Sequence, residues 1–441
     1  MLPVFSYPSA EADRKLSQIA GRQAGADPAV EKQVQEILDH VRRDGDEALV
    51  HYTRRFDAPD FDRSRLTVTE AEWARAHDQV DPEFFTILRA AADNIRSFHQ
   101  KQLRASYFTT STDGVFLGQL VNPVDSAGLY VPGGQGGETP LISTILMNAI
   151  PAKIAGVEDL AMVTPPKRDG SVNPYLLAAA REVGIDRIHK LGSAWAVAAL
   201  AFGTESVPKV DVIVGPGNAY VTSAKRMVSG MVGIDLLAGP SEILVIADHT
   251  AKPQFVAADL LSQAEHDPMA SAILITTRRE LAEAVNVSLK EQLDRLPRRE
   301  IAAQALDRYG AVFLVRDMDE AARLANRVAP EHLELQVDDP WSHLGKIKHA
   351  GAVFLGAYTP EPVGDYFAGP NHVLPTAGSA RFASALNVDH FLKRTSVISY
   401  SAQALKRDGQ SIVRLAELEG LTAHAASVGV RLARLAESPE D

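Results

Sequence analysis

The sequence contains no cysteine. A disulfide framework, a thiolate nucleophile and a thiolate-bound zinc are therefore excluded, and any metal must be held by imidazole, carboxylate or amide groups. An excess of positive charge is also missing: 45 Lys and Arg stand against 56 Asp and Glu, a formal net charge of −11. Such a surface repels a polyanion unless basic residues are concentrated, so nucleic acid is not an expected partner. No window reaches about 18 uninterrupted apolar residues, and the start, MLPVFSYPSAEADRK, has no basic segment followed by an apolar stretch. A cytoplasmic protein with no membrane partner is expected.

What is present fits a globular enzyme. The chain has 441 residues, 46% hydrophobic and 23% charged, which excludes extensive disorder and calls for two or more domains. Residues 30–56 and 82–103 carry apolar side chains at three- and four-residue spacings and predict surface-packed helices. From about Gly114 short apolar runs bounded by Gly and Pro alternate with helical stretches. Examples are AGLYVPGG at 127–134, LAMVTPP at 160–166, VDVIVGPGNAY at 210–220, EILVIAD at 242–248, SAILITT at 271–277 and GAVFLG at 351–356. Continuous apolar strands alternating with helices imply βαβ units, an α/β fold with two Rossmann-like parallel-sheet modules and helical N-terminal and C-terminal segments. Junctions are expected near residues 125 and 238, giving an arm at 1–25, a first module of 26–125 plus 239–385, a second of 126–238, and a C-terminal helical segment at 386–441. Residues 417–435 read as helix, and ESPED as a solvated tail.

Four segments carry side chains suited to chemistry. In LLSQAEHDP, 260–268, Gln263 and His266 share one face of an expected helix and can converge on one ligand; the segment reads equally as a helix C-terminus stopped by Pro268. In APEHLEL, 329–335, Glu331 and His332 stand side by side before a short strand, where acid and imidazole can work as base and proton carrier or be an ordinary loop pair. VGDYFAGPNHVLPT, 363–376, offers Asp365 and His372 in a loop whose Gly364 and Gly369 permit close approach. LEGLTAHAASV places Glu419 and His424 around Gly420 at an expected helix start, where a surface histidine is the plainer interpretation.

Two glycine-rich stretches bear on nucleotide binding. GPGNAY follows an apolar strand and opens a helix, so backbone N–H groups could meet phosphate, but Tyr220 stands where G-x-G-x-x-G requires its third glycine. PGGQGGE at 132–138 fails the same spacing, and no Walker lysine signature occurs. Either loop could be a tight turn.

In order and wording these stretches closely resemble the histidinol dehydrogenase family over about residues 30–435. The resemblance is carried by GLYVPGG, VDVIVGPGNAYVTSAKR, GIDLLAGPSEILVIAD, ADLLSQAEHD, APEHLEL, VGDYFAGPNHVLPT, FLKRTSV and EGLTAHA. It implies one zinc per subunit on Gln263, His266, Asp365 and His424, a donor set that suits Zn²⁺ and leaves positions for substrate. It makes Glu331 and His332 the catalytic pair and gives L-histidinol contacts to Ser241, Gln263, His266, His332, Asp365, Glu419 and His424. NAD contacts fall to Tyr130 and Asn218. The family commonly carries a glutamine in a G-x-A-Q-A stretch at the cofactor; here GSAWAVAALAFGT puts Trp195 there, and an indole lacks the amide's acceptor.

The implied reaction is a four-electron oxidation of L-histidinol to L-histidine through a bound aldehyde, the last steps of histidine biosynthesis. His332 would be the base in both halves and Glu331 would activate water in the second. The resemblance also implies a homodimer that exchanges its C-terminal arms. A zinc-dependent NAD dehydrogenase of another amino alcohol or polyol is the alternative, and an inactive binding module a more distant one.

Overall fold

The apolar runs become the strands of two parallel sheets in a computed structural model that describes residues 1–22, 28–133 and 140–437. The glycine-rich loop 132–138 and the ESPED tail fall largely outside the described residues. In chain order the strands are β1 (Val4–Ser6), β2 (Tyr107–Thr112), β3 (Val115–Pro123), β4 (Ser126–Tyr130), β5 (Asp159–Thr164), β6 (Ile188–Lys190) and β7 (Val212–Val214). They continue as β8 (Gly233–Ile234), β9 (Glu242–Ala247), β10 (Ser271–Thr276), β11 (Gly310–Leu314), β12 (His332–Gln336), β13 (Ala352–Leu355) and β14 (Leu392–Tyr400). The α/β class with helical ends follows the expectation from the sequence.

The chain forms two compact units. The larger, residues 1–102 and 124–391, contains both parallel sheets. One sheet has the order β1-β11-β10-β9-β12-β13. Its strands are sandwiched: Ile243, Val245, Ala272, Leu274 and Val312 pack into one core, and Leu244, Ile246, Ile273, Ile275 and Phe313 into the other. Alternate side chains point to opposite faces and both faces are covered, which is why EILVIA and SAILIT read as unbroken apolar runs.

The other sheet has the order β6-β5-β4-β7-β8. Helices Ser193–Phe202, Ala219–Val228 and Pro28–Phe56 share a core with its Tyr130, Val163 and Ile213. Helix Pro28–Phe56, grouped from sequence with 239–385, therefore packs with this sheet: its Val34, Leu38, Val41 and Leu49 form an apolar face that sequence order cannot assign to either module.

The smaller unit comprises residues 103–123 and 392–441. Strand β14 pairs antiparallel with β3 from Leu392↔Pro123 to Tyr400↔Val115, and β3 with β2. The segment 386–441, expected as wholly helical, thus contains a nine-residue strand, in which β-branched Thr395, Val397 and Ile398 favour the extended chain. The helix expected over 417–435 is two helices, Ala402–Leu418 and Thr422–Glu437. Gly420 separates them at φ 72°, a left-handed conformation that glycine adopts without Cβ strain.

Candidate active site

Glu242 opens β9, Glu331 stands one residue before β12 and His332 opens it. The two strands are neighbours, with His332 in register with Ile243, so the residue before each lies beside the other. Their backbone N–H groups have no preceding ladder partner, and each donates to the other's side chain: Glu242 N–H to Glu331 Oε2 at 2.8 Å, and Glu331 N–H to Glu242 Oε2 at 3.2 Å. Nδ1 of His332 lies 2.9 Å from the carbonyl oxygen of Glu242. A carbonyl only accepts, so Nδ1 carries the proton and Nε2 presents its lone pair. Ser241 precedes Glu242 at the same edge. This is the amino end of the parallel sheet, the reverse of the carboxyl-end crevice usual in open α/β sheets.

Helix Pro253–Ala264 follows β9 and runs back to this edge, carrying Gln263 in its last turn. Glu265 caps it, so His266 lies beyond the helix and not on the expected shared face; its N–H bonds the Gln263 carbonyl at 3.1 Å. The C-terminus reading of this segment is the correct local description, and the helix end still brings both residues to the site.

Asp365 comes from a single π-helical turn, Gly364–Ala368. Its Oδ1 is 3.9 Å from His332 Nε2 and its Oδ2 3.7 Å from His372 Nδ1. Glu361 Oε1 is 4.0 Å from His332 Nε2. One ligand atom from each of His332, Glu361 and Asp365 lies within 4.8 Å of the others. Gln263 hydrogen-bonds Glu361. A cavity of about 410 Å³ opens on His332, Asp365, His372, Phe98 and Phe354.

Burial dominates the electrostatics. It pushes the His332 imidazolium down to about 4, so the ring is neutral at physiological pH, and it lowers His266, opposed there by the Asp365 charge. Burial raises Glu331 well above the usual carboxylate range, against the hydrogen bond from the Glu242 amide. Glu361 is raised by burial and by the charge of Asp365. Asp365 is desolvated too, but His372 beside it holds its carboxyl down.

The residues fit a metal that accepts nitrogen and oxygen. Buried Gln263 Oε1, His332 Nε2 and His372 Nε2 have no hydrogen-bond partner among the described residues, a costly arrangement unless something else completes them. With Asp365 they provide amide, carboxylate and imidazole donors of the kind Zn²⁺ takes.

The three positions that the resemblance assigns to NAD lie at or beyond carboxyl ends of strands of the second sheet. Tyr130 ends β4 and Asn218 follows β7, and these neighbouring strands flank the point where strand order reverses, the usual nucleotide crevice of such sheets. Gly215, at φ 112°, lets the chain pass there: a Cβ would sit 2.2 Å from the Tyr130 carbonyl oxygen. Asn218 caps helix Ala219–Val228, its side chain accepting from Tyr220 and Val221 N–H. Tyr130 hydroxyl accepts from Ser193 N–H at 3.0 Å. Trp195 is 3% exposed and stacks on Tyr52 and Phe56, with Nε1 unpartnered among the described residues.

Glu419 and His424 belong to the smaller unit. Glu419 caps helix Ala402–Leu418, and both line an open surface hollow with Leu415 and Leu421. Sequence reasoning missed Glu361, for which TPEPV gives no signal, and Glu242, whose signal was a charge opening an otherwise apolar strand.

The histidinol dehydrogenase family profile matches residues 21–432. Histidinol dehydrogenase of Desulfotalea psychrophila is 56% identical over 424 residues, covering 96% of this chain and 98% of the relative. That of Nitratidesulfovibrio vulgaris is 59% identical over 413 residues, 94% of each. The crystal structure of histidinol dehydrogenase from Elizabethkingia anophelis superposes with a TM-score of 0.91 at 37% identity over 99% of both chains. The match in sequence runs through every segment that builds the site, and the chain belongs to the histidinol dehydrogenase family of oxidoreductases.

Proposed function

We propose that the protein oxidises L-histidinol to L-histidine in two steps at the site around His332, using NAD and one zinc per subunit. The observation that carries the reading is a neutral, buried His332 whose Nε2 lone pair stands beside Asp365 at one cavity, with the buried acid Glu331 preceding it in the chain. The overall balance is histidinol plus two NAD⁺ and one water giving histidine carboxylate, two NADH and three protons.

Gln263, His266 and Asp365, with His424 of the partner subunit, would hold the metal, and Tyr130, Asn218 and the Trp195 position would hold NAD. When bound, these groups supply a Lewis-acidic anchor for the substrate and a hydride acceptor used once in each step. His332 accepts the alcohol proton at Nε2 in the first step. Glu331 takes a proton from the water that adds to the aldehyde, and His332 accepts the hydroxyl proton of the resulting gem-diol. Ser241 and Glu419 add polar contacts to the substrate. Bases whose protonation is shifted by burial suit such transfers.

In this reading residues 239–385 carry the catalytic and metal groups, 126–238 the NAD contacts, and 386–441 a dimerisation arm exchanged between two copies. The exposed apolar side chains of the smaller unit support a covering partner: Leu415 is 65%, Leu418 66%, Ile398 71% and Val430 64% exposed. The test is NADH release per histidinol consumed. Two equivalents are expected, with little turnover of other amino alcohols and polyols; no release from histidinol overturns the reading.

A further inference from the structure

The buried pair Arg22–Glu242 lies directly behind the catalytic residues. Arg22 and Glu242 form an ion pair whose side chains are 4% and 6% exposed. Arg22 is itself fixed, its other terminal nitrogen donating to the Met269 carbonyl at 2.9 Å. Glu242 Oε1 accepts from Arg22 and from Ala377 N–H at 3.1 Å, and Oε2 from Glu331 N–H. The Glu242 amide in turn holds Glu331 Oε2, and its carbonyl holds His332 Nδ1. One residue thus touches both members of the catalytic pair through three different groups.

We infer that Glu242, anchored by Arg22, is a positioning residue that aims the Glu331 carboxylate at the water of the aldehyde step, while its main-chain carbonyl separately fixes the tautomer of His332. This rests on the proposed assignment of Glu331 as the base for that water. The physical argument has two parts. Two carboxylates buried side by side repel, and the buried guanidinium of Arg22, paired with Glu242, offsets part of that repulsion. The reciprocal hydrogen bonds between strand openings then fix the Glu331 carboxylate, engaging Oε2 and leaving Oε1 outside the clamp. A base displaced by about 1 Å can lose 10²-fold in rate, so a clamp of this kind has a kinetic consequence.

Side-chain and main-chain roles separate in the test. Glu242→Asp keeps the charge and the carbonyl bond to His332 but withdraws the carboxylate from the Glu331 amide; Arg22→Lys keeps the cation but cannot span both Glu242 and the Met269 carbonyl. Each half-reaction is measured on the zinc-loaded dimer, histidinol by the first NADH released in a single turnover and histidinaldehyde by its own oxidation. Both variants should lower aldehyde oxidation by ~10-fold or more and leave alcohol oxidation within about 3-fold of wild type. In a Glu331→Gln background Glu242→Asp should cost nothing further in the aldehyde step. Equal losses in both halves, an additive double variant or wild-type rates would overturn the inference, as would failure of both variants to fold, which would assign the pair to stability alone. If Glu331→Gln itself spares the aldehyde step, the assignment of Glu331 fails instead, and the two results are distinguishable.

Discussion

Nε2 of His332 lies 3.9 Å from Oδ1 of Asp365, with the two side chains 4% and 17% exposed. A neutral imidazole and a carboxylate held charged by His372 share one cavity wall. In the proposed function these are the proton acceptor and an oxygen donor for the metal, and the predictions follow from which of these groups is removed.

Removing a metal donor should release metal. Purified protein is expected to hold about one zinc per chain, and His266→Asn or Gln263→Leu to hold markedly less. Elemental analysis beside activity checks this. Full activity in protein stripped below a tenth of an equivalent would refute the metal's role.

The two bases should separate by half-reaction. His332→Asn should slow alcohol and aldehyde oxidation alike, and Glu331→Gln the aldehyde step far more, with losses of roughly 10²- to 10⁴-fold typical of a general base. Pre-steady-state NADH formation from each substrate distinguishes them. Equal defects for Glu331→Gln in the two steps would remove the division of labour.

Trp195 should matter for stability as well as for cofactor. Its ring is buried in a cluster with Tyr52 and Phe56, so Trp195→Ala should cost about 3–5 kcal/mol of folding free energy and raise the KM for NAD. Trp195→Phe, which keeps the stack, should recover most of the stability. Denaturant unfolding and NAD titration measure the two effects separately.

Arm exchange predicts complementation. His424→Asn and Glu331→Gln should each be nearly inactive alone; in a mixed dimer with exchanged arms one site carries both defects and the other neither. Refolded mixtures should regain about a quarter of wild-type activity, the share expected from random pairing. Mixed dimers without recovery would mean that each arm serves its own chain.

Acid should weaken the fold through His189. The ring is buried in β6, and burial, with Arg187 nearby, pushes its imidazolium down to about 4. The folded state refuses a proton that the unfolded chain accepts below about 6.5, so this contribution is complete above that pH and is lost as pH falls toward 4, by about 3 kcal/mol in all. His189→Leu should flatten the dependence of unfolding free energy on pH between 6.5 and 4. An unchanged slope would show that other groups set the acid limit.

The sequence by itself determined the class of fold and the chemical inventory. Runs such as EILVIA and SAILIT have no alternation because both sheet faces are covered, and that requirement is local enough to read from the residues. The absence of cysteine limited metal donors to His, Asp, Glu and Gln, and the ordered motifs identified the family. Tertiary structure alone decided the arrangement. Which edge of the sheet carries the site depends on helix Pro253–Ala264 running back past β9, a matter of packing direction. Glu242 and Glu331, 89 positions apart, meet because β9 and β12 pair in a register fixed by the two buried faces. The proton on Nδ1 of His332 depends on a carbonyl from another strand, and the shifted acids and bases depend on burial, which no residue carries in its own identity.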